Sequence, residues 1–166
     1  MLDGMVDVVF SEIDVPPSAM DWRTAMRQRA ISAHRVLLRH PWANGLMESR
    51  TSPGPANLRH HDAVLGSLRG AGFSVEMAAH AYSMLDSYVY GFTLTEATLP
   101  FSNSKEAKAV AGNILEGFRP GDYPHLAEMA VDRAMKPGYS YGDEFEYGLD
   151  LILDGIMRVK SKTAQR

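Results

Sequence analysis

Residues 74–99 read SVEMAAHAYSMLDSYVYGFTLTEATL, and this stretch decides the fold. Ser74 is a favourable N-cap, Glu76 places a carboxylate near the positive end of the helix dipole, and Pro100 cannot continue the hydrogen-bond ladder. The pattern predicts one long helix, Val75–Leu99. At ~1.5 Å per residue such a helix is roughly 36 Å long, which is enough to cross a small domain.

This helix is apolar on more than one side. One stripe follows helical spacing and consists of Ala78, Ala81, Leu85, Tyr88 and Phe92. Further small or apolar residues lie toward other sides, namely Met77, Met84, Gly91 and Leu94. Because a helix that is apolar nearly all round must be buried nearly all round, other helices have to cover it.

A second strongly apolar helix is predicted for Asp143–Val159. Acidic residues open it and basic residues close it, as the helix dipole favours. Its apolar residues follow steps of four and three, which is a coiled-coil-like seam. The seam consists of Phe145, Leu149, Ile152, Ile156 and Val159. We expect residues 1–160 to form one domain and residues 161–166 to form a disordered tail.

The rest of the chain also favours helices. No run of alternating β-branched residues is present, and proline and glycine mark the breaks. The remaining predicted segments are Leu2–Ile13, a helix capped by Asp21 that ends near Arg39, a short piece after Pro41, Pro55–Ala71, a helix capped by Ser104 that ends near Phe118, and 125–135. The fold class is therefore predicted to be an all-α bundle of about seven to eight helices.

The composition excludes several classes of protein. The 166 residues contain no cysteine, which rules out a disulfide scaffold, a thiolate metal site and a cysteine nucleophile. With 17 basic and 20 acidic residues, the net charge of −3 lacks the basic excess typical of nucleic-acid-binding domains. An acidic start and the lack of a run of ~20 apolar residues argue against a signal peptide and a membrane span, so a cytoplasmic protein is expected.

Five arginines crowd residues 23–39, at positions 23, 27, 29, 35 and 39. Helical spacing spreads these side chains around the axis of the predicted helix. We interpret them as a solvated helix face.

The helices Val75–Leu99 and Asp143–Val159 carry more apolar surface than one small domain can cover. Two such helices from each of two copies would form a four-helix bundle, and a twofold dimer is the commonest closed assembly. The alternative is that both helices lie in the core of a larger monomer. We favour the homodimer, because only a handful of other helices are available to cover them.

Several motifs occur in a characteristic order. They are DW at 21–22, RVLLRHPWANGL at 35–46, GPANL at 54–58, LRGAGFSVEMAAHAYSMLDSYVYGFTLTE at 68–96 and FEYGLDLILDGI at 145–156. Together they resemble the C-terminal domain of the TetR family, in the branch grouped with the tetracycline repressor. The resemblance implies a repressor that a small molecule releases from DNA, with an effector pocket inside each subunit and a dimer formed by the two apolar helices.

The resemblance also bears on DNA binding. Residues 1–4, MLDG, are similar to the segment that follows the helix-turn-helix domain in this family. We therefore expect contact with DNA only through a helix-turn-helix domain that is not present in this sequence. A truncated chain, a wrongly assigned start and a natural protein without a DNA-reading domain are the open alternatives.

The resemblance implies which helix faces point into the core and which point toward a partner subunit, and the candidate site residues lie on these faces. The ligand-binding candidates are Arg29, Ala33, Trp42, Leu46, Met47, Leu58, His61, Val64, Met84, Ser87 and Tyr88. The dimer-interface candidates are Tyr82, Leu85, Val89, Phe92, Phe145, Leu149, Ile152 and Ile156.

His61 stands out because it interrupts the apolar stripe formed by Leu58, Leu65 and Leu68. A cavity would place a polar group there, and a core histidine bonded to a backbone carbonyl is the equal alternative. The tetracycline repressor binds a drug–magnesium chelate with a histidine and an acidic residue. Residues 46–48 contain no histidine and Thr95 stands where the acid would be, so no metal or cofactor is predicted.

Two further motifs in the sequence bear on catalysis and metal binding. Residues 138–142, GYSYG, match the G-x-S-x-G nucleophile elbow, but a predicted helix and Pro137 precede them where a hydrolase has a strand. His60 and His61 point about 100° apart on a helix and cannot easily share a metal ion. No enzyme is predicted, and the minor alternatives are a small helical hydrolase that uses Ser140 and a stand-alone dimeric regulator or ligand-binding protein without DNA-binding activity.

Overall fold

The computed structural model describes residues 2–17, 19–47, 49 and 51–163, and these residues form helices and connecting loops. The α-helices are α1 (Leu2–Ser11), α2 (Trp22–Arg39), α3 (Pro55–Gly70), α4 (Val75–Thr98), α5 (Ser104–Glu116), α6 (Pro124–Met129) and α7 (Asp143–Thr163). A 3₁₀ turn spans Pro41–Leu46, and a π-helical turn spans Ala130–Ala134. The predicted all-α class is confirmed.

Local sequence signals account for most helix starts. The side chain of Asp21 accepts from the amide of Thr24 at 3.1 Å, and the hydroxyl of Ser74 accepts from the amide of Met77 at 3.1 Å. Proline opens α3 and the 3₁₀ turn, where its missing N–H costs nothing.

Several helix ends differ from the prediction by one to four residues. The cap of α5 is Asn103 rather than Ser104, because the Asn103 side chain accepts from the amide of Glu106 at 3.0 Å. Helix α1 ends at Ser11 rather than at residue 13. Helix α7 continues to Thr163, so 161–163 of the expected tail are helical, while 164–166 lie outside the described residues.

The chain divides into two compact units, of which the first comprises Met1–Ala97 and Phe145–Arg166. Its core is built from α1, α2, α3, α4 and α7, with Phe10, Met26, Leu37, Leu85 and Leu149 among its fully buried side chains. Each such side chain contributes about 1.5–3 kcal/mol through burial. One continuous core therefore holds all five helices in place.

A ladder of ion pairs joins α2 to α7 along the surface of this unit. Arg23 bonds Asp154 at 2.7 Å, and Arg27 bonds Glu146 at 2.6 Å and Asp150 at 3.0 Å. The spacing of four residues on both helices lets the rows match. The interpretation of the five arginines as a solvated face is wrong for Arg29, which is 2% exposed, whereas Arg23 and Arg27 lie at the surface in this ladder.

The second unit, Thr98–Glu144, contains α5, α6 and the π-helical turn. Its buried side chains are small, namely Ala107, Ala111 and Ala130. The guanidinium of Arg133 pairs with Glu144 and lies 5.6 Å from the centre of the Tyr139 ring. In the described part of the chain no helix is both long and apolar enough to cross a lipid bilayer.

The predicted dimer seam lies inside the first unit. Leu85, Val89, Phe145, Leu149 and Ile156 are each at most 4% exposed, so their side chains cannot face a second subunit. The other three candidates, Tyr82, Phe92 and Ile152, are half-buried against the same core. At these five residues the most apolar stripe of each helix packs within the subunit itself, and the assignment of the eight residues to a dimer interface stays a prediction.

The solvent-facing sides of α4 and α7 nevertheless carry large apolar side chains. Met84 and Leu94 on α4 are 50% and 54% exposed, and Tyr147 and Leu151 on α7 are 67% and 57% exposed. On α4 the exposed residues Met84, Ser87, Gly91 and Leu94 follow steps of three, four and three. We call the exposed residues Met84, Ser87, Gly91, Leu94, Tyr147 and Leu151 the outer face.

Candidate ligand-binding site

Three polar side chains from three helices meet in the core of the first unit. Arg29 of α2 donates from Nε to His60 Nε2 of α3 at 2.9 Å, and from Nη1 to Oδ1 of Asp86 on α4. Arg29, His60 and Asp86 are 2%, 0% and 4% exposed. Charged side chains are almost never buried this deeply unless they are paired. We call these three residues the buried polar cluster.

The hydrogen bonds fix the position of the proton on His60. An arginine Nε can only donate, so His60 Nε2 accepts and the ring proton lies on Nδ1. Burial, followed by the charge of Arg29 and the neighbouring His61, lowers the pKa of His60 to about 3. The imidazole is therefore neutral at physiological pH.

The charges of the other two members balance. Burial opposes the charge on Arg29, but the Asp86 carboxylate outweighs it and raises the pKa of the guanidinium above its ordinary value. A buried Arg–carboxylate pair is held by Coulomb attraction that water screens only weakly. The cluster is a neutral assembly of one cation, one anion and one uncharged ring.

The cluster has more hydrogen-bonding atoms than its internal bonds use. Arg29 Nη2, His60 Nδ1 and Asp86 Oδ2 are buried and have no hydrogen-bond partner within the described residues. The same is true of Asn44 Oδ1, whose Nδ2 donates to the carbonyl of Tyr90 on α4 at 2.9 Å. Each buried polar atom left in this state costs about 1–3 kcal/mol, so such atoms are candidates for contact with a bound molecule.

Aromatic rings surround the cluster. The Phe10 ring lies 5.6 Å from the His60 ring and 5.4 Å from the His61 ring, centre to centre. Tyr82 forms a hydrogen bond with His61 Nδ1, and Tyr82 and Tyr90 lie close enough to raise the pKa of Arg29. The polar atoms are thus set among flat apolar surfaces.

A pocket of about 270 Å³ reaches the cluster from one side. Its walls are Asp14, Val15, Pro16 and Pro17 from the loop after α1, with Ala25, Gln28 and Arg29 on α2. Ligand sites for small molecules usually begin at about 300 Å³. The pocket is therefore slightly smaller than such sites, and Arg29 is the member of the cluster that lines it.

The predicted ligand-binding residues divide into three groups. Arg29, Ala33, Met47 and Val64 are buried in the core. Leu46, His61 and Tyr88 are half-buried, and the Tyr88 hydroxyl donates to the carbonyl of Phe145 at 3.0 Å. The last group, Trp42, Leu58, Met84 and Ser87, is exposed on the surface of the chain, which is a correction to the expected lining of an internal cavity.

The core histidine is His60 rather than its neighbour. The inward face of α3 carries Asn57, His60, Val64 and Leu68, so the predicted stripe was displaced by one residue at its first three positions. Asp86 and Asn44 were also missed. The signal for Asp86 was present, since it lies beside Leu85 and Val89 in the most apolar part of α4 and is flanked there by no other charge.

The hydrolase motif lacks the surroundings that its chemistry needs. Ser140 is exposed in a turn after Gly138, which has φ +80°, and the element before it is the π-helical turn rather than a strand. Among the described residues no three His, Asp or Glu side chains are placed to hold a metal ion.

The chain is similar to a known protein family and to curated proteins. The family model for the tetracyclin repressor-like C-terminal domain matches residues 15–160. An HTH-type transcriptional regulator from Saccharopolyspora erythraea is 31% identical over 128 residues, which cover 76% of this chain and 54% of that protein. The HTH-type transcriptional repressor DrrR1 from Streptomyces coeruleorubidus is 27% identical, with 94% of this chain and 60% of that protein covered. The chain thus spans little more than half the length of these relatives, which are regulators of transcription and not enzymes.

Solved structures show the same fold. The TetR family protein ActR from Streptomyces coelicolor, in complex with actinorhodin, gives a TM-score of 0.73 at 23% identity, with 95% of this chain and 74% of that chain covered. A possible TetR family transcriptional regulator from Streptomyces coelicolor A3(2) gives a TM-score of 0.70 at 29% identity, with 96% and 75% covered. The family match, the curated relatives and the shared fold lead to one conclusion: this chain belongs to the TetR family, as a C-terminal domain of the tetracycline-repressor-like type.

Proposed function

We propose that this chain is the ligand-sensing and dimerisation part of a TetR-type transcriptional repressor. In this proposal a small, mostly apolar effector binds in the helical core of each subunit, two copies pair through the outer face, and a helix-turn-helix domain reads DNA. The observation that carries the proposal is the buried polar cluster, with three open hydrogen-bonding atoms in a mostly apolar core.

The composition of the core supports an effector of this kind. Small-molecule sites are mostly apolar and contain a few well-placed polar groups that fix orientation. Arg29, His60 and Asp86 provide such groups, and Phe10, Ala33 and Val64 provide apolar surface in the same core. The complex of ActR with actinorhodin adds support, because it is a protein of the same fold with a bound small molecule.

The outer face supports pairing with a second copy. An exposed row at steps of three, four and three is the pattern by which two helices pack in a coiled coil or four-helix bundle. Ser87 and Gly91 are small enough to let the backbones approach closely, and Met84 and Leu94 bring apolar area on either side. A twofold axis would place the same residues against each other.

The cluster also offers a way for a ligand to affect the dimer. It connects α2, α3 and α4, and α4 carries both Asp86 on its inner side and Met84 and Ser87 on its outer side. A ligand that bonds the cluster more strongly in one position of α4 shifts the population toward that position by the difference in affinity. Because α4 contributes to the outer face, the shift would reach the partner subunit.

Two measurements on the purified chain test the proposal. Light scattering at micromolar concentration is expected to give twice the 18.3 kDa mass of the chain, and a monomer would contradict the pairing. Nile red, an uncharged dye whose emission rises in apolar surroundings, is expected to bind saturably at one molecule per subunit and to raise Tm. At a hundred times its Kd a bound ligand adds about 2.7 kcal/mol to stability, so a missing Tm shift at saturation would contradict the sensing role.

A further inference from the structure

The loop that follows α1 encloses a pocket against α2 that opens to solvent. Its walls are Asp14, Val15, Pro16 and Pro17 from the loop and Ala25, Gln28 and Arg29 from α2. The loop is fixed in place, because Pro16 is buried and the amide of Asp14 donates to the Ser32 hydroxyl at 3.0 Å. Two consecutive prolines also favour an extended backbone. The small side chain of Ala25 leaves space below the loop, so the fold itself holds the pocket open.

One wall of this pocket carries an unused hydrogen-bond donor. Arg29 is 2% exposed, and its Nε and Nη1 are bonded to His60 on α3 and to Asp86 on α4. The third nitrogen, Nη2, is buried without a partner within the described residues. A buried donor in this state is costly, so a ligand in the pocket gains affinity if it brings an acceptor to Nη2. His60 and Asp86 do not line the pocket, and their open atoms remain available to the core.

The charges around the pocket select an uncharged ligand. Asp86 already balances the charge of Arg29, and Asp14 places a second carboxylate on the loop side of the pocket. An anionic ligand would meet the Asp14 carboxylate without a free counter-charge, while a cation that carries only donors has no lone pair for Nη2 of Arg29. A neutral group with an acceptor for Arg29 and a donor for Asp14 satisfies both walls.

The size and the apolar walls determine the rest of the ligand. The volume of about 270 Å³ equals that of roughly nine water molecules in the liquid, so the pocket holds a molecule of about nine heavy atoms. Val15, Pro16 and Pro17 offer apolar surface against which one ring can pack. We propose that the pocket binds a small, uncharged aromatic carboxamide, whose carbonyl accepts from Nη2 of Arg29 and whose amide donates to Asp14. This site goes beyond the proposed sensing role and does not depend on it.

Three probes of the same size and shape test the proposal. Benzamide is uncharged and carries a carbonyl and an N–H group, benzoate is an anion with acceptors alone, and benzamidine is a cation with donors alone. Binding to the whole chain at neutral pH is followed by heteronuclear NMR, through the amide signals of Val15, Ala25 and Gln28 and the Nε–H signal of Arg29. We expect benzamide to shift these signals saturably and to bind about tenfold or more tightly than either ion.

Two variants and a control locate the ligand. Asp14→Ala removes an exposed acceptor and is expected to weaken benzamide binding about fivefold or more and to reduce the discrimination against benzoate. Arg29→Met with Asp86→Leu removes the donor without leaving an unpaired charge in the core, and is expected to abolish saturable binding in a chain that circular dichroism shows to be folded. Asp62→Ala is the matched control, because it removes an exposed carboxylate on α3 that lines a neighbouring groove, and it should leave benzamide binding unchanged.

Each of several outcomes would overturn the proposal. Equal affinities for the three probes would show that the pattern of donors and acceptors does not matter. An unchanged benzamide affinity in Asp14→Ala, or signals that shift elsewhere in the chain but not at the pocket, would place the ligand at another site. Absence of saturable shifts at the solubility limit of benzamide would refute binding itself. Nile red is too large for a pocket of this volume, so its binding and the light-scattering mass test the sensing and dimer roles separately.

Discussion

At the scale of single residues, the most unusual feature is an ion pair buried in the core. Arg29 and Asp86 are separated by 57 positions along the chain and by one hydrogen bond in space. Placing two charges in the core is costly, and their attraction offsets the cost only while both are present. A substitution that removes only one of the two charges is therefore expected to destabilise the fold.

This condition gives a stability prediction. Asp86→Leu is expected to lower the free energy of unfolding by about 3–5 kcal/mol, because it leaves the Arg29 guanidinium buried without a counter-charge. Adding Arg29→Met to the same chain is expected to recover most of the loss. Urea unfolding followed by circular dichroism measures both values. Arg27→Met removes a half-exposed surface pair and should cost about 1 kcal/mol or less, and an equal cost for Asp86→Leu would contradict the account.

His60 gives a pH prediction with a definite sign. Its pKa in the folded chain is about 3, below the ordinary 6.5 of an exposed histidine, so folding favours the neutral ring. The associated stability is complete above pH 6.5 and is lost as pH falls toward 3, by about 1.4 kcal/mol per unit. We expect the free energy of unfolding to fall between pH 6.5 and 5, and His60→Gln to flatten that slope. His125→Gln, at an exposed position, should leave the slope as it is, and a flat profile in the unaltered protein would refute the assignment.

Only part of this site could be predicted from the sequence. Arg29 could be selected because the resemblance turned its side of α2 inward, but its partners could not be identified from local pattern. Whether an aspartate inside an apolar helix is buried depends on a partner from a distant segment. The local pattern of one sequence does not show which distant residues pair. The choice between His60 and His61 depended on the rotation of α3 by 100°, which the loosely apolar pattern of that helix left open.

At the scale of elements, the helix boundaries were predictable and the helix faces were not. Proline, glycine and capping side chains act within a few residues, so the starts of α2, α3, α4 and α7 were placed within one residue. Periodicity identifies the stripes on a helix but does not say which neighbour each stripe meets. The stripe on α7 that reads as a dimer seam packs against the core of its own subunit at Phe145, Leu149 and Ile156.

The crossing of α4 and α7 depends on one small residue. A Cβ at Gly148 would meet the Tyr88 hydroxyl and lie 2.9 Å from Tyr88 Cζ, so a side chain there would push against a ring that is hydrogen-bonded to the carbonyl of Phe145. We expect Gly148→Ala to lower the free energy of unfolding by about 1–3 kcal/mol in chemical denaturation. Gly66→Ala is the control within a helix, since a Cβ there meets nothing within 4 Å, and it should raise stability by about 0.5–1 kcal/mol. Two substitutions with the same effect would contradict the packing argument.

At the scale of the whole molecule, the core and the proposed partner surface lie on opposite sides of the same helices, α4 and α7. The inner sides of α4 and α7 close the subunit, and their outer sides keep apolar residues that one copy leaves in water. Charged substitutions on the two sides should therefore have different effects. Phe145→Asp places a carboxylate in the core and is expected to unfold the subunit, whereas a charge on the outer face is expected to separate folded subunits.

The outer face is tested by Leu151→Glu on α7 and Leu94→Glu on α4. Each places a carboxylate in the proposed contact at a residue that is more than half exposed in one copy, so the fold should persist while the dimer dissociates. Light scattering is expected to show a monomer for both variants, with helical circular dichroism retained and a Tm that no longer rises with protein concentration as it does in the dimer. Val8→Glu on α1, at a residue 60% exposed, is the matched control and should remain a dimer. If both leucine variants stay dimeric while Val8→Glu dissociates, subunits pair through another surface, because a twofold contact cannot bury one new charge on each side without losing affinity.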